Sequence, residues 1–94
     1  MKILVADKIA KEGLKILENN GEFQVDFKPD ITPEQLLEAI SDYDALVIRS
    51  RTRAPAEVLE KAEKLQVVGR AGVGLDNVDI PAATRQGVIV MNTP

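Results

Sequence analysis

Arginines and glycines, rather than histidines or paired carboxylates, are the residues of this sequence whose spacing could do chemistry. Arg70 lies in a run that begins with two valines and contains Gly69, Gly72 and Gly74. Glycine permits positive φ and lets another group approach the backbone closely. A strand, a glycine loop and a helix in that order allow backbone N–H groups to bind an anion. The run therefore predicts an anion-binding loop, and a plain strand-to-helix turn is the alternative.

A second group of arginines follows another short apolar run. Arg49 and Ser50 come directly after that run, and Arg51 and Arg53 follow at alternate positions. Arginine binds phosphate or carboxylate through two parallel hydrogen bonds. We expect Arg49 and Arg70 to meet at an anion site, whereas we expect Arg51 and Arg53 to be solvated loop charges.

Dinucleotide binding by the glycine loop itself is disfavoured. The dinucleotide fingerprint needs a third small residue three positions after Gly74, and Asn77 stands there. The first strand of the chain is followed by Asp7 and Lys8 instead of a glycine loop. A phospho-accepting receiver domain is also disfavoured, because its third strand ends in aspartate and this one ends at Arg49.

The composition is that of one small globular domain. Of the 94 residues, 45% are hydrophobic and 29% are charged, and the net charge is −3. The sequence contains no cysteine and no histidine, which excludes disulfides, thiolate chemistry and a histidine base. The negative charge argues against nucleic acid or a membrane surface as the main partner. With no signal peptide or membrane span recognisable, we expect a cytoplasmic protein.

Five short apolar runs alternate with four amphipathic segments. The first amphipathic segment is predicted to end at Asn20–Gly21, where either residue could adopt a left-handed cap. Strict alternation implies parallel strands joined by right-handed helical crossovers. The predicted fold is therefore α/β, a flavodoxin-like five-stranded parallel sheet in the order 2-1-3-4-5 with four helices. The strands are predicted over Lys2–Ala6, Phe23–Phe27, Ala45–Ile48, Val67–Arg70 and Val88–Met91.

Three segments carry a resemblance to a known family: Ile48–Ser50, Lys64–Asp79 and Ala82–Pro94. They resemble the D-isomer-specific 2-hydroxyacid dehydrogenases, in particular the branch that oxidises 3-phospho-D-glycerate with NAD in serine biosynthesis. The resemblance implies that residues 1–94 are an incomplete substrate-binding domain, without the family's usual fifth helix. It also implies that the catalytic residues and the NAD-binding domain belong to another part of the parent enzyme. The 94-residue chain is therefore expected to be inactive and to hold no cofactor itself.

The resemblance further implies a role for each residue of a substrate half-site. Arg49 and Arg70 resemble the cations that receive the substrate phosphate. The backbone amides of Val73 and Gly74 resemble those that hold the substrate carboxylate, and the resemblance also implies that position 73, a threonine in some relatives, lies near the nicotinamide. A free-standing flavodoxin-like domain that binds anions or a partner protein is the alternative. The half-site comprises Arg49, Ser50, Arg70, Gly72, Val73 and Gly74.

The absent fifth helix has a predicted consequence for assembly. Right-handed crossovers place the first helix on one face of the sheet and the other three on the opposite face. The third, fourth and fifth strands then lack a cover on the face that carries the first helix. Such a face measures on the order of several hundred Å², around the largest apolar patch of a soluble monomer. We therefore expect a homodimer that uses this uncovered face.

Overall fold

Five strands form one parallel sheet, and the computed structural model describes residues 1–72, 74 and 76–93. The strands are β1 (Lys2–Val5), β2 (Gln24–Phe27), β3 (Ala45–Ile48), β4 (Val67–Ala71) and β5 (Ile89–Thr93). The helices are α1 (Lys11–Asn19), α2 (Pro33–Ala39), α3 (Ala56–Lys61) and α4 (Ile80–Arg85), with a 3₁₀ turn at Ile40–Asp42. The strand order is β2-β1-β3-β4-β5, which confirms the predicted topology.

The helices cover the two faces of the sheet unequally, because alternate strand residues point to opposite faces. On one face, Leu4 is fully buried in a large cluster that includes Leu59 of α3 and residues of α2 and α4. On the other face, Val5 is buried in a smaller cluster with Leu14 of α1. This arrangement of one helix against three is the predicted one.

The sheet face on the α1 side is only partly covered over the last three strands. Ile89 is 63% exposed and Met91 is 55% exposed, and Val47 and Val67 are half-buried. The strand register places Val67 beside Ile89 and Gly69 beside Met91. We call Val47, Val67, Gly69, Ile89 and Met91 the open face. The homodimer expected to use the open face stays a prediction.

The end of α1 differs from its prediction in mechanism, although α1 ends at the predicted place. Asn20 has φ −82°, and Gly21 is not among the glycines with positive φ, so the predicted left-handed cap is wrong. The Asn20 N–H donates to the Leu17 carbonyl at 3.3 Å, and the Asn20 side-chain oxygen accepts from the Glu22 N–H at 2.9 Å. An asparagine turn of this kind ends the helix without a left-handed residue.

Candidate anion-binding site

The carboxyl ends of β1, β3 and β4 lie side by side, since β3 pairs with both of the other strands. Ile48 at the end of β3 is in register with Arg70 of β4. Asp7 follows β1, and residues 49–52, which we call the arginine loop, follow β3. Ligands of parallel sheets of this type bind at this edge. The edge therefore holds most of the residues that the sequence predicts for the site.

The carboxylate of Asp7 holds the arginine loop. Asp7 is 2% exposed and accepts hydrogen bonds from the backbone N–H of Arg49 at 2.7 Å and of Thr52 at 3.0 Å. The Thr52 hydroxyl donates to the same carboxylate at 2.7 Å, and the Nε of Arg51 forms an ion pair with it at 2.9 Å. These donors compensate the desolvation of a buried charge. From the sequence, Asp7 was noted as the residue that follows the first strand, and this role was not predicted.

Arg51 contributes to the same structural cluster. Besides its ion pair with Asp7, its guanidinium donates to the carbonyl of Ala6 at 2.7 Å and to that of Ile31 at 3.1 Å. The expectation that Arg51 is a solvated loop charge is therefore wrong, because one carboxylate and two carbonyls bind its guanidinium. Arg51 remains exposed despite these bonds, and Arg53 is exposed too, as predicted for a loop charge.

Asn77 connects the arginine loop to β4. Its side-chain oxygen accepts a hydrogen bond from the Nε of Arg70 at 2.7 Å. Its side-chain nitrogen donates to the carbonyl of Arg49 and, at 2.7 Å, to that of Thr52. From the sequence, Asn77 was only evidence against a dinucleotide loop, and this role was not predicted. The signal available in the sequence was an amide side chain, which has both a donor and an acceptor, seven positions after Arg70.

The predicted glycine run has three glycines, and two of them, both after β4, have the positive φ that glycine permits. Gly72 has φ 133° and Gly74 has φ 90°, both in the region that favours glycine. A Cβ at Gly72 would lie 3.1 Å from the Nη1 of Arg70, so the guanidinium packs against this glycine. Gly69 lies within β4 without a positive φ, and an added Cβ there would meet open space. Val73, predicted for both substrate and nicotinamide contact, lies outside the described residues.

A shallow depression of about 430 Å³ opens beside the arginine loop. Arg49 lines it, and its Nη1 donates to the carbonyl of Lys8 at 3.4 Å. Ser50 is exposed and lines the same depression. Arg70, Gly72 and Gly74 do not line it, so the structure does not bring the two guanidinium groups into one cavity and connects Arg70 only to the Arg49 backbone, through Asn77.

Metal binding and membrane insertion find no support in the part of the chain that the structure describes. Within those residues, no group of three carboxylates could hold a metal ion. None of the helices there combines the length and the apolar character needed to cross a bilayer.

Sequence comparison relates nearly the whole chain to one family. The family model described as D-isomer specific 2-hydroxyacid dehydrogenase, catalytic domain, matches residues 3–94. The D-3-phosphoglycerate dehydrogenase of Methanocaldococcus jannaschii is 53% identical over 94 residues, which are 100% of this chain and 18% of that protein. The D-3-phosphoglycerate dehydrogenase of Rattus norvegicus is 50% identical over 93 residues, or 99% of this chain and 17% of that protein. The chain thus spans less than one fifth of the length of these relatives.

Structural comparison agrees with the sequence comparison. The 3-phosphoglycerate dehydrogenase of Entamoeba histolytica, solved with NAD⁺ bound, has a TM-score of 0.86 and 35% identity. The match covers 100% of this chain and 33% of that one. The D-lactate dehydrogenase of Escherichia coli shares the fold, with a TM-score of 0.82 and 22% identity over 100% of this chain and 31% of its own. By the family match over residues 3–94, the chain belongs to the D-isomer-specific 2-hydroxyacid dehydrogenases.

Proposed function

We propose that this chain supplies the substrate anion-binding half-site of an NAD-dependent D-3-phosphoglycerate dehydrogenase that acts in serine biosynthesis. Arg49 and Arg70 bind the substrate phosphate, and the Ser50 hydroxyl donates to it. The backbone amides of Val73 and Gly74 bind the substrate carboxylate. The observation that carries the proposal is that Asn77 binds both the side chain of Arg70 and the backbone carbonyl of Arg49, at the ends of neighbouring strands.

Arginines and backbone amides suit the chemistry of this substrate. 3-Phospho-D-glycerate carries a phosphate at one end and a carboxylate at the other, so a site for it needs two groups of donors. Arginine offers paired donors that match phosphate geometry, and glycine-rich loops expose backbone N–H groups. The relatives from Methanocaldococcus jannaschii and Rattus norvegicus, both D-3-phosphoglycerate dehydrogenases, support this choice of substrate.

The described residues do not fit a dinucleotide. The fingerprint would place a small residue at position 77, whereas Asn77 binds Arg70 of β4 and two carbonyls of the arginine loop. We therefore assign NAD, which the Entamoeba histolytica structure contains, to another part of the parent enzyme. In this assignment the chain orients the substrate, and the hydride acceptor and the catalytic base lie elsewhere.

Titration of the ¹⁵N-labelled chain with 3-phospho-D-glycerate, followed by NMR, tests the proposal. We expect binding at about millimolar strength, because a half-site lacks the contacts of a closed second domain. Shifts should concentrate in the arginine loop and at Arg70, Gly72 and Gly74, and D-glycerate, which lacks the phosphate, should bind more weakly. Shifts scattered over other surfaces would contradict the site.

A free-standing anion-binding or interaction domain is the competing function. Arg49, Lys8 and the exposed Ser50 line an open depression that also contains Asp30, and in this alternative another small anion would bind on its cationic side. The dehydrogenase half-site binds both the phosphate and the carboxylate of the substrate, whereas a free-standing anion-binding domain needs only one anionic group. Equal affinity for inorganic phosphate and 3-phospho-D-glycerate would favour the free-standing domain over the dehydrogenase half-site.

A further inference from the structure

The two segments that carry the proposed phosphate ligands meet at one side chain. Arg49 belongs to the arginine loop after β3, and Arg70 belongs to β4. We propose that Asn77 is the positioning residue of the anion site, and that its amide sets the separation between Arg49 and Arg70. The inference rests on the proposed function, because it concerns the geometry of that same site.

The bonding pattern at Asn77 requires a primary amide. The side-chain oxygen accepts from the Arg70 Nε, while the nitrogen uses its two hydrogens on the carbonyls of Arg49 and Thr52. Aspartate would still accept from Arg70, but it would place a carboxylate oxygen against the two carbonyls. Alanine would remove all three bonds. Asparagine is therefore the side chain that satisfies both segments at this distance.

The arginine loop is held at its backbone by two side chains of complementary chemistry. Asp7 accepts from the N–H groups of Arg49 and Thr52, and Asn77 donates to the carbonyls of the same two residues. The backbone on both sides of Ser50 is thus fixed at its donors and at its acceptors. Only Asn77 of these two side chains also binds Arg70.

The bond to Asn77 and the adjacent glycine both contribute to the orientation of the Arg70 guanidinium. Its Nε is bound to Asn77, and its Nη1 lies so close to Gly72 that a Cβ there would approach to 3.1 Å. A charged hydrogen bond of this kind directs a planar group as well as stabilising it. Loss of the Asn77 amide would therefore change the orientation of the Arg70 guanidinium group without removing its positive charge.

The test compares Asn77→Ala and Asn77→Gln with the unmodified chain. Gln keeps an amide but displaces it by one methylene, so the test does not depend on the alanine variant alone. Affinity for 3-phospho-D-glycerate, measured by NMR titration, should fall about tenfold in both variants, since misplaced ligands lose most of their binding. Gln66→Ala, at the opposite end of β4, removes an amide away from the site and should bind normally.

A second readout separates positioning from general stabilisation. The Nε–H signal of Arg70 should exchange slowly with water in the unmodified chain and rapidly in Asn77→Ala, under conditions where unfolding measurements show both proteins to be folded. Unchanged exchange and unchanged affinity in both Asn77 variants, beside normal binding by the unmodified chain, would overturn this inference alone. Failure of the unmodified chain to bind 3-phospho-D-glycerate would overturn the proposed function and this inference with it.

Discussion

Asp7 and Asn77, which lie 70 positions apart in the sequence, bind the same two residues of the arginine loop through opposite backbone groups. The Asp7 carboxylate takes the N–H groups, and the Asn77 amide gives hydrogen bonds to the carbonyls. The backbone polar groups of this loop are thus paired with side chains, so the loop keeps a defined conformation outside any helix or strand. The backbone of the arginine loop is therefore held at its donors and its acceptors by two polar side chains from other parts of the chain.

Replacement of Asp7 by Asn should destabilise the protein. The change removes a buried charge that accepts two N–H groups, one hydroxyl and the Arg51 guanidinium, and it sets an NH₂ group against donors. We expect the free energy of unfolding in urea to fall by about 2–3 kcal/mol, as for a buried polar group left with mismatched partners. Arg53→Ala, which changes an exposed residue directly after the arginine loop, should change the free energy of unfolding by less than about 0.5 kcal/mol. Equal stability of Asp7→Asn and the unmodified chain would contradict the role of Asp7.

Two glycines with positive φ should respond differently to alanine. Gly72→Ala places a methyl group against the Arg70 guanidinium, whereas Gly87→Ala, after α4, would meet open space. Both changes strain the backbone and should each cost about 1–2 kcal/mol of unfolding free energy. Only Gly72→Ala should also weaken binding of 3-phospho-D-glycerate in an NMR titration. An equal loss of affinity in both variants would show that backbone strain alone explains it.

Tyr43 should make stability depend on alkaline pH. Its burial, followed by the 2.6 Å hydrogen bond to Asp26 and nearby carboxylate charge, raises the pKa of the Tyr43 hydroxyl above its ordinary value of about 10. A pKa raised in the folded state gives stability that is complete below the ordinary value and is lost as pH rises beyond it. Urea unfolding of Tyr43→Phe should therefore show a shallower decline above about pH 10 than the unmodified chain. Parallel declines would contradict the assignment.

The predicted homodimer can be tested at the open face. Met91→Lys places a charge on an apolar surface where Met91 is 55% exposed, so it should favour the monomer without disturbing the core. Sedimentation velocity at high micromolar concentration should show a dimer for the unmodified chain and a monomer for the variant. Ile16→Lys, on the exposed side of α1, is a matched control that should leave the dimer intact. A monomer at all concentrations of the unmodified chain would contradict the prediction.

The strand order was predictable, but the contacts that shape the site were not. Runs such as Ala45–Ile48 show their strand character locally, and strict alternation then restricts the topology to few choices. Arg51 and the loop contacts of Asn77 depend instead on partners 20–45 positions away, such as Ala6 and Thr52. Residue type alone does not distinguish an arginine bound to a buried carboxylate from one in solvent. The partners of Arg51 and Asn77 come together only because the fold sets the carboxyl ends of the strands side by side.

The central claim is that Arg49 and Arg70 together bind the substrate phosphate. The direct measurement is the affinity of Arg49→Ala, Arg70→Ala and Arg53→Ala for 3-phospho-D-glycerate, at equal ionic strength. All three variants lose one positive charge, so long-range electrostatics are matched. We predict that Arg49→Ala and Arg70→Ala each bind at least about tenfold more weakly, as expected for loss of a charged hydrogen-bond donor. Arg53→Ala should bind within about twofold of the unmodified chain, and equal losses in all three variants would contradict a specific phosphate site.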